Sequence, residues 1–217
     1  MKFPQTLKAT RHLSTADKRL AKLIAEVGAV KIELDADETV FESLTSAIVY
    51  QQLHGKAAAT ILGRVKTVCH PRGEFPTPAQ LLAASDEALR GAGLSRSKLL
   101  ALKDLAQRVT DGLVPTRAKA ETMSDAALIE ALTEVRGIGP WTAQMLLIFT
   151  LGRPDVLPVD DFGVRKGFAV VYGKKKMPTP KELALYGEQW RPFRSIAAWY
   201  LWRALELERF KGVKIEG

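Results

Sequence analysis

Two short stretches of this 217-residue chain carry residues whose types and spacing could do chemistry. The first is Val135-Arg136-Gly137-Ile138-Gly139-Pro140-Trp141-Thr142-Ala143. Gly137 can end one helix in the left-handed conformation, and Gly139 with Pro140 can open the next. A helix starting there turns its unpaired backbone amides outward, and no side chain covers them at the glycines. A phosphate can then approach the positive end of the helix dipole. Ile138, between the glycines, is expected to pack inward and fix the turn. Taken alone, a Gly-x-Gly between helices is more often a plain tight turn. The second stretch is the adjacent pair of acids Asp160 and Asp161, which closes a loop containing Gly152, Pro154 and Pro158. Carboxylates at that place can cap a helix expected near Val164 to Val170. Cysteine and histidine offer little. Cys69 is the only cysteine, which excludes an internal disulfide, a four-cysteine iron–sulfur cluster and a four-cysteine zinc site. His12, His54 and His70 lack metal-ligand spacing, so no metal is expected.

The elements that must position these residues read as helices almost throughout. Phe41, Leu44 and Ile48 repeat at helical spacing and lead into Gln51 and Gln52. Ala58, Ile61, Leu62, Val65 and Val68 mark a second amphipathic helix. Thr77-Pro78 is an N-cap with proline at the first helical position. Ser85, Ser95 and Ser124 open further helices; the second carries Leu99, Leu102, Leu105 and Val109 on one face, the third Leu128, Ile129 and Leu132. Thr179-Pro180-Lys181-Glu182 is a capping box. A last helix spans about Phe193 to Leu207. Pro140 to Leu151 is apolar around most of its circumference and is expected to be buried. Strand evidence is thin: Val30 to Leu34 alternates weakly, and Pro158 interrupts Val156 to Val159. The spacing therefore predicts an all-α chain of many short helices. Breaks fall at Asp111 to Thr122 and at Gly173 to Pro180, whose Lys174-Lys175-Lys176 run reads as a solvated loop more readily than as a DNA contact.

Lys plus Arg is 32 and Asp plus Glu is 24, a formal charge of +8. That excess suits a polyanion such as nucleic acid without requiring one. Met1 to Leu13 is basic but lacks the apolar stretch of a secretory signal. The longest greasy run, Met145 to Leu151, is too short to span a bilayer. A soluble intracellular protein is expected.

The pattern Val-x-Gly-Ile-Gly-x-Trp-Thr-Ala, then an apolar helix, then a Gly/Pro loop ending in aspartate, resembles the helix-hairpin-helix (HhH-GPD) DNA glycosylase superfamily. Tryptophan after the hairpin is similar to the alkylpurine branch, 3-methyladenine DNA glycosylase II. Ala47-Ile48-Val49-Tyr50-Gln51-Gln52-Leu53 with Ala57-Ala58 resembles the family helix that reaches the DNA gap, and Gly93-Leu94-Ser95 with Lys98 another family segment. Trp190-Arg191-Pro192-Phe193-Arg194-Ser195 with Trp199-Tyr200-Leu201-Trp202-Arg203 resembles the branch's closing motif. The resemblance covers nearly the whole chain.

It implies two helical lobes with a central DNA-binding cleft and no N-terminal β domain. Residues 40–153 would carry the hairpin; residues 1–39 with 154–217 would carry the catalytic aspartate. In the family that aspartate is followed by two variable residues and an apolar one. Asp161-Phe162-Gly163-Val164 fits, 22 positions after Gly139. Asp161 is thus the implied catalytic residue, with Asp160 an auxiliary acid or helix cap and the rival register. Trp141, Met145 and Trp202 would line the base pocket, the tryptophan faces attracting a cationic ring. Close relatives often have tyrosine at the Met145 position, which leaves the exact substrate open. Gln51, Gln52 and Leu53 fall at the DNA gap, with Gln52 or Leu53 as the wedge. Gly137 and Gly139 would hold a phosphate. Bifunctional members place lysine where this chain has Trp141, so base excision without strand cleavage is implied. The expected substrate is duplex DNA with an alkylated base such as 3-methyladenine. No cofactor is expected beyond a monovalent cation at the hairpin when DNA is bound. A monomer in the cytoplasm, at the nucleoid and away from any membrane, completes the expectation. Two alternatives stand: a non-catalytic binder of DNA structures, and a glycosylase for oxidised or deaminated bases.

Overall fold

A computed structural model describes residues 2–34, 38–210 and 214–216. The helices, in chain order, are α1 (Thr6–Ala16), α2 (Lys18–Val27), α3 (Val40–Tyr50), α4 (Gly55–Cys69), α5 (Pro78–Ala83), α6 (Asp86–Gly91), α7 (Arg96–Thr110), α8 (Arg117–Thr122), α9 (Asp125–Thr133), α10 (Pro140–Phe149), α11 (Phe162–Val171), α12 (Pro180–Tyr186) and α13 (Arg194–Ala204). Short 3₁₀ turns follow at Gly187–Trp190 and Glu208–Phe210. Among the described residues, β structure is limited to the isolated bridges Lys2–Glu33 and Lys176–Glu216, so the weak alternation at Val30 to Leu34 builds no strand. The all-α expectation holds.

Helix starts were written in the side chains. Thr77, Ser85, Ser95, Ser124 and Thr179 each accept a hydrogen bond from the amide three residues on. Thr39, Thr77 and Thr179 form complete capping boxes. Each cap stabilises its helix by about 1 kcal/mol. The last helix is shorter than expected, ending at Ala204 rather than Leu207.

The chain divides into two compact units, Met1–Asp35 with Leu147–Gly217, and Ala36–Leu146. In the first, α13 is buried almost all round, from Ser195 to Leu201 and at Ala204, as a central helix must be. It packs on α2 and α11. The α11 crossing is tight at Gly167, where a Cβ would lie 2.1 Å from the carbonyl oxygen of Leu201. Asp17 is the polar hub of this unit and is only 5% exposed. It caps α2 through the amides of Arg19 and Leu20. Its other oxygen, Oδ2, accepts from the hydroxyls of Tyr172 and Tyr186 and from the Trp190 indole. Burial works against the charge, but the bonds from Tyr172, Leu20, Trp190 and Arg19 outweigh it and hold the carboxyl below its ordinary range.

In the second unit, α7 packs on α3 and α5. Leu44, Ile48 and Val49 meet a core shared with Leu81, Leu99, Leu102 and Leu105, all buried. A lysine of α7 finishes its neighbour: Lys103 Nζ donates to the carbonyls of Leu82 and Ala84 at the end of α5, at 2.8 and 2.6 Å.

Two stability outcomes follow. Gly167→Ala should destabilise the protein by about 3 kcal/mol or more, because backbone cannot yield as a side chain can; urea denaturation measures it. Asp17→Asn should cost about 1.5–3 kcal/mol at neutral pH. The folded pKa of Asp17 lies below its unfolded value, so its contribution is full above about pH 4 and is lost as pH falls through the folded pKa. The gap between wild type and variant, followed by urea melts at stepped pH, should close in that acid range and not on the alkaline side.

Candidate functional site

The hairpin is built from backbone bonds. The Ile138 amide donates to the Val135 carbonyl at 3.0 Å, and the Ala143 amide to that of Gly139 at 3.1 Å. Gly137 has φ +79°, the left-handed conformation expected of it. It acts four residues past the end of α9, so it closes the hairpin turn rather than the helix. Ile138 is buried and pins the turn from inside. The Arg136 amide donates to Asp104 Oδ2 at 2.8 Å, an oxygen that also receives Arg108. Gly137 lies exposed, and a Cβ on Gly139 would meet nothing within 4 Å. The backbone here is held from within and open outward, as a phosphate grip requires.

Beside it lies the turn that follows α3. That helix stops at Tyr50, so Gln51 and Gln52 do not ride on it as the apolar repeat suggested. Gln51 is its C-cap, and Gln52 adopts φ +56°. Gln51 Nε2 donates to the Gly137 carbonyl at 2.9 Å. Gln51 and Gln52 share an open cavity of about 460 Å³ with Ala47, Tyr50, Trp141, Thr142 and Met145. The structure thus brings Trp141, Met145 and both glutamines together. Leu53 is exposed but does not line that cavity. Trp141 is 47% exposed and Phe149 37%, so α10 is not buried all round as its composition suggested. Lys98 closes the turn from below, its Nζ donating to the carbonyls of Val49 and Gln51 at 2.7 Å each.

The first unit holds the acids. Arg194 grips Asp155, with Nε 2.8 Å from Oδ1 and Nη2 2.9 Å from the backbone oxygen. Arg191 reaches Asp155 Oδ2 at 2.6 Å. Ser195 Oγ donates to the Arg153 carbonyl at 2.6 Å and accepts from the Val156 amide at 2.9 Å. The closing motif is therefore a clamp on the loop that delivers the aspartates. Asp161 Oδ1 accepts from the Val164 amide at 2.7 Å, which makes Asp161 the N-cap of α11. The same oxygen accepts from Trp202 Nε1 at 2.8 Å. The helix cap considered for Asp160 thus belongs to Asp161, because only its side chain folds back over the first turn; Asp160 is exposed.

Trp202 is therefore a partner of the carboxylate as well as an aromatic wall, its ring centroid 5.8 Å from that of Phe149. Gly163 is no neutral position either, since a Cβ there would fall 2.8 Å from Trp202 Cδ1. A glycine in the first turn of a helix is a poor helix former, and that was its signal in the sequence. Lys98 and Asp155 carried no such local signal, because their partners are carbonyls and guanidiniums remote in sequence. Among the described residues, no three of His, Cys, Asp and Glu stand together as a metal site, and no helix is long and apolar enough to cross a membrane.

Known proteins are similar to this chain in sequence and fold. DNA-3-methyladenine glycosylase 1 of Schizosaccharomyces pombe is 40% identical over 201 residues, 92% of this chain and 88% of that protein. The alkylbase DNA glycosidase-like protein mag2 of the same yeast is 32% identical, over 93% of this chain and 95% of its own. Among solved structures, the Schizosaccharomyces pombe 3-methyladenine DNA glycosylase in complex with abasic DNA superposes with TM-score 0.81 at 39% identity, covering 93% of this chain and 98% of that one. The DNA-3-methyladenine glycosidase of Bacillus halodurans gives TM-score 0.85 at 36% identity, covering 94% and 91%. The family model described as HhH-GPD superfamily base excision DNA repair protein matches residues 45–192, and with these relatives it places the chain within that superfamily.

Proposed function

We propose that this chain is a monofunctional DNA glycosylase that everts and hydrolytically removes alkylated bases, such as 3-methyladenine, from duplex DNA. One observation carries the reading to the chemistry: the Asp161 carboxylate is fixed at the head of α11 by the Val164 amide and by the Trp202 indole. The relatives named above support the substrate class.

The chemistry asks little more of the protein. An alkylated purine is cationic and already a good leaving group, so no general acid is needed to expel it. Its departure leaves positive charge on the deoxyribose. A carboxylate held rigidly there stabilises that charge and orients or deprotonates the attacking water. The exposed face of Trp141 suits an electron-poor ring, and Met145 beside it makes a softer wall than an aromatic side chain would. Trp141 offers no amine, so no Schiff base forms from that position and the strand stays intact. Gly137 and Gly139 take a phosphate, and Gln52 enters the vacated stack, recovering part of the few kcal/mol that eversion costs. The Gly137 and Gly139 carbonyls each accept one hydrogen bond and keep a second lone pair. Such neutral oxygen donors suit a monovalent cation, which would set positive charge beside the bound phosphate. The reading extends to a monomer acting in the cytoplasm at the nucleoid.

Asp161→Asn keeps a cap and an acceptor for Trp202 while removing the charge. Single-turnover release of base from methylated duplex should fall about 10²–10⁴-fold, with binding to an abasic duplex retained. Equal release by variant and wild type rejects the assignment, and loss in Asp160→Asn alone moves it to Asp160. Trp202→Phe keeps a ring and deletes the N–H. Its excision rate should drop about tenfold, and an unchanged rate would mean that the indole hydrogen bond plays no part in the chemistry.

A further inference from the structure

Lys98 stands where a cation is least welcome on its own helix. It occupies the first turn of α7, at the positive end of that helix dipole. Desolvation also lowers its pKa. Both costs are offset by what the ammonium touches: the Val49 and Gln51 carbonyls at the C-terminal end of α3, 2.7 Å away each. Those oxygens lie where the last carbonyls of a helix lack intrahelical partners. Immediately beyond them Gln52 holds φ +56°, a conformation that is costly for a non-glycine residue and persists only where its surroundings enforce it. On the far side of the turn, Gln51 Nε2 is tied to the Gly137 carbonyl of the hairpin at 2.9 Å.

We infer that Lys98 is a positioning residue for base eversion. It fixes the shape of the turn that presents Gln52 to the base stack, and through Gln51 it sets that turn at a constant distance from the phosphate-holding hairpin. The inference rests on the reading of Gln52 as a residue of the DNA gap. Gln51 then acts as a strut, and Gln52 alone of the pair reaches the stack. A hairpin seated on a phosphate delivers the wedge already shaped, without ordering a loop during the reaction.

Lys103 provides an internal comparison, because it finishes α5 by the same two-carbonyl device away from the turn. The test uses a duplex with a tetrahydrofuran abasic analogue flanked by 2-aminopurine, whose fluorescence rises on unstacking, and a methylated duplex for single-turnover excision. Wild-type protein should bind the first duplex with a clear rise. Lys98→Met should bind it within about threefold, because phosphate contacts dominate affinity. Its fluorescence rise should be largely lost and its excision slowed about 100-fold, the scale of a small misplacement. Lys98→Arg should recover part of both, and Lys103→Met should leave the rise intact whatever it does to the melting temperature. A full rise and normal excision from Lys98→Met overturn the inference and spare the gap reading. No rise from the wild type overturns the gap reading itself. Should Lys98→Met fail to fold, Gln51→Ala decides: a diminished rise supports the brace, and an unchanged one rejects it.

Discussion

A single carboxylate oxygen does two structural jobs at the start of α11. Asp161 Oδ1 starts α11 by holding the Val164 amide, and it receives the indole N–H of Trp202 from α13. Both bonds are charge-assisted and therefore strong for their kind. Together they remove the rotational freedom that an aspartate on a loop would otherwise have. A reacting group that needs no reorganisation stabilises developing charge without further cost. The rest of the first unit serves this placement. The Arg194 and Ser195 clamp fixes the loop before Asp161. Gly167 lets α11 lie against the backbone of α13, and Gly163 leaves room for the indole. The Asp17 hub holds the far end of α11 through Tyr172.

The second unit answers a different demand with the same physics. It must end several short helices without leaving their polar groups unpaired. Helix ends are where such pairing is hardest. Here lysines of α7 satisfy two of them, Lys98 for α3 and Lys103 for α5. Asp104, next to Lys103, holds the Arg136 amide at the approach to the hairpin. One helix thus organises the ends of its neighbours and the approach to the hairpin.

Much of this was legible in sequence, for identifiable reasons. Caps such as Thr77, Ser95 and Thr179 announce themselves because donor and acceptor are three residues apart. Gly137, Ile138 and Pro140 announce the hairpin because their backbone demands are local. The family resemblance set Trp141 and Met145 with Trp202 and, separately, Gln51 and Gln52 with Leu53; the cavity that Trp141, Met145, Gln51 and Gln52 line together was not legible in it. What stayed hidden depended on distance along the chain. That Asp161 rather than Asp160 caps α11 depends on which way each side chain turns. That Trp202 donates to that carboxylate links residues 41 apart. The end of α3 at Tyr50 was masked by an apolar repeat running straight into the glutamines. Lys98 stood out only as part of a family segment beside Gly93-Leu94-Ser95, and its task shows only in the two carbonyls it holds.

The open space around Gly139 has a consequence for how such a protein can change over time. A methyl group there would touch no atom of the chain, and the backbone at that residue does not need the left-handed region. Packing does not demand the missing side chain, so the room it leaves is for something outside the chain. Access to the hairpin backbone and durability of the folded state are therefore separable at this position. A single methyl would narrow the approach from outside while the molecule beneath stays as firm as before.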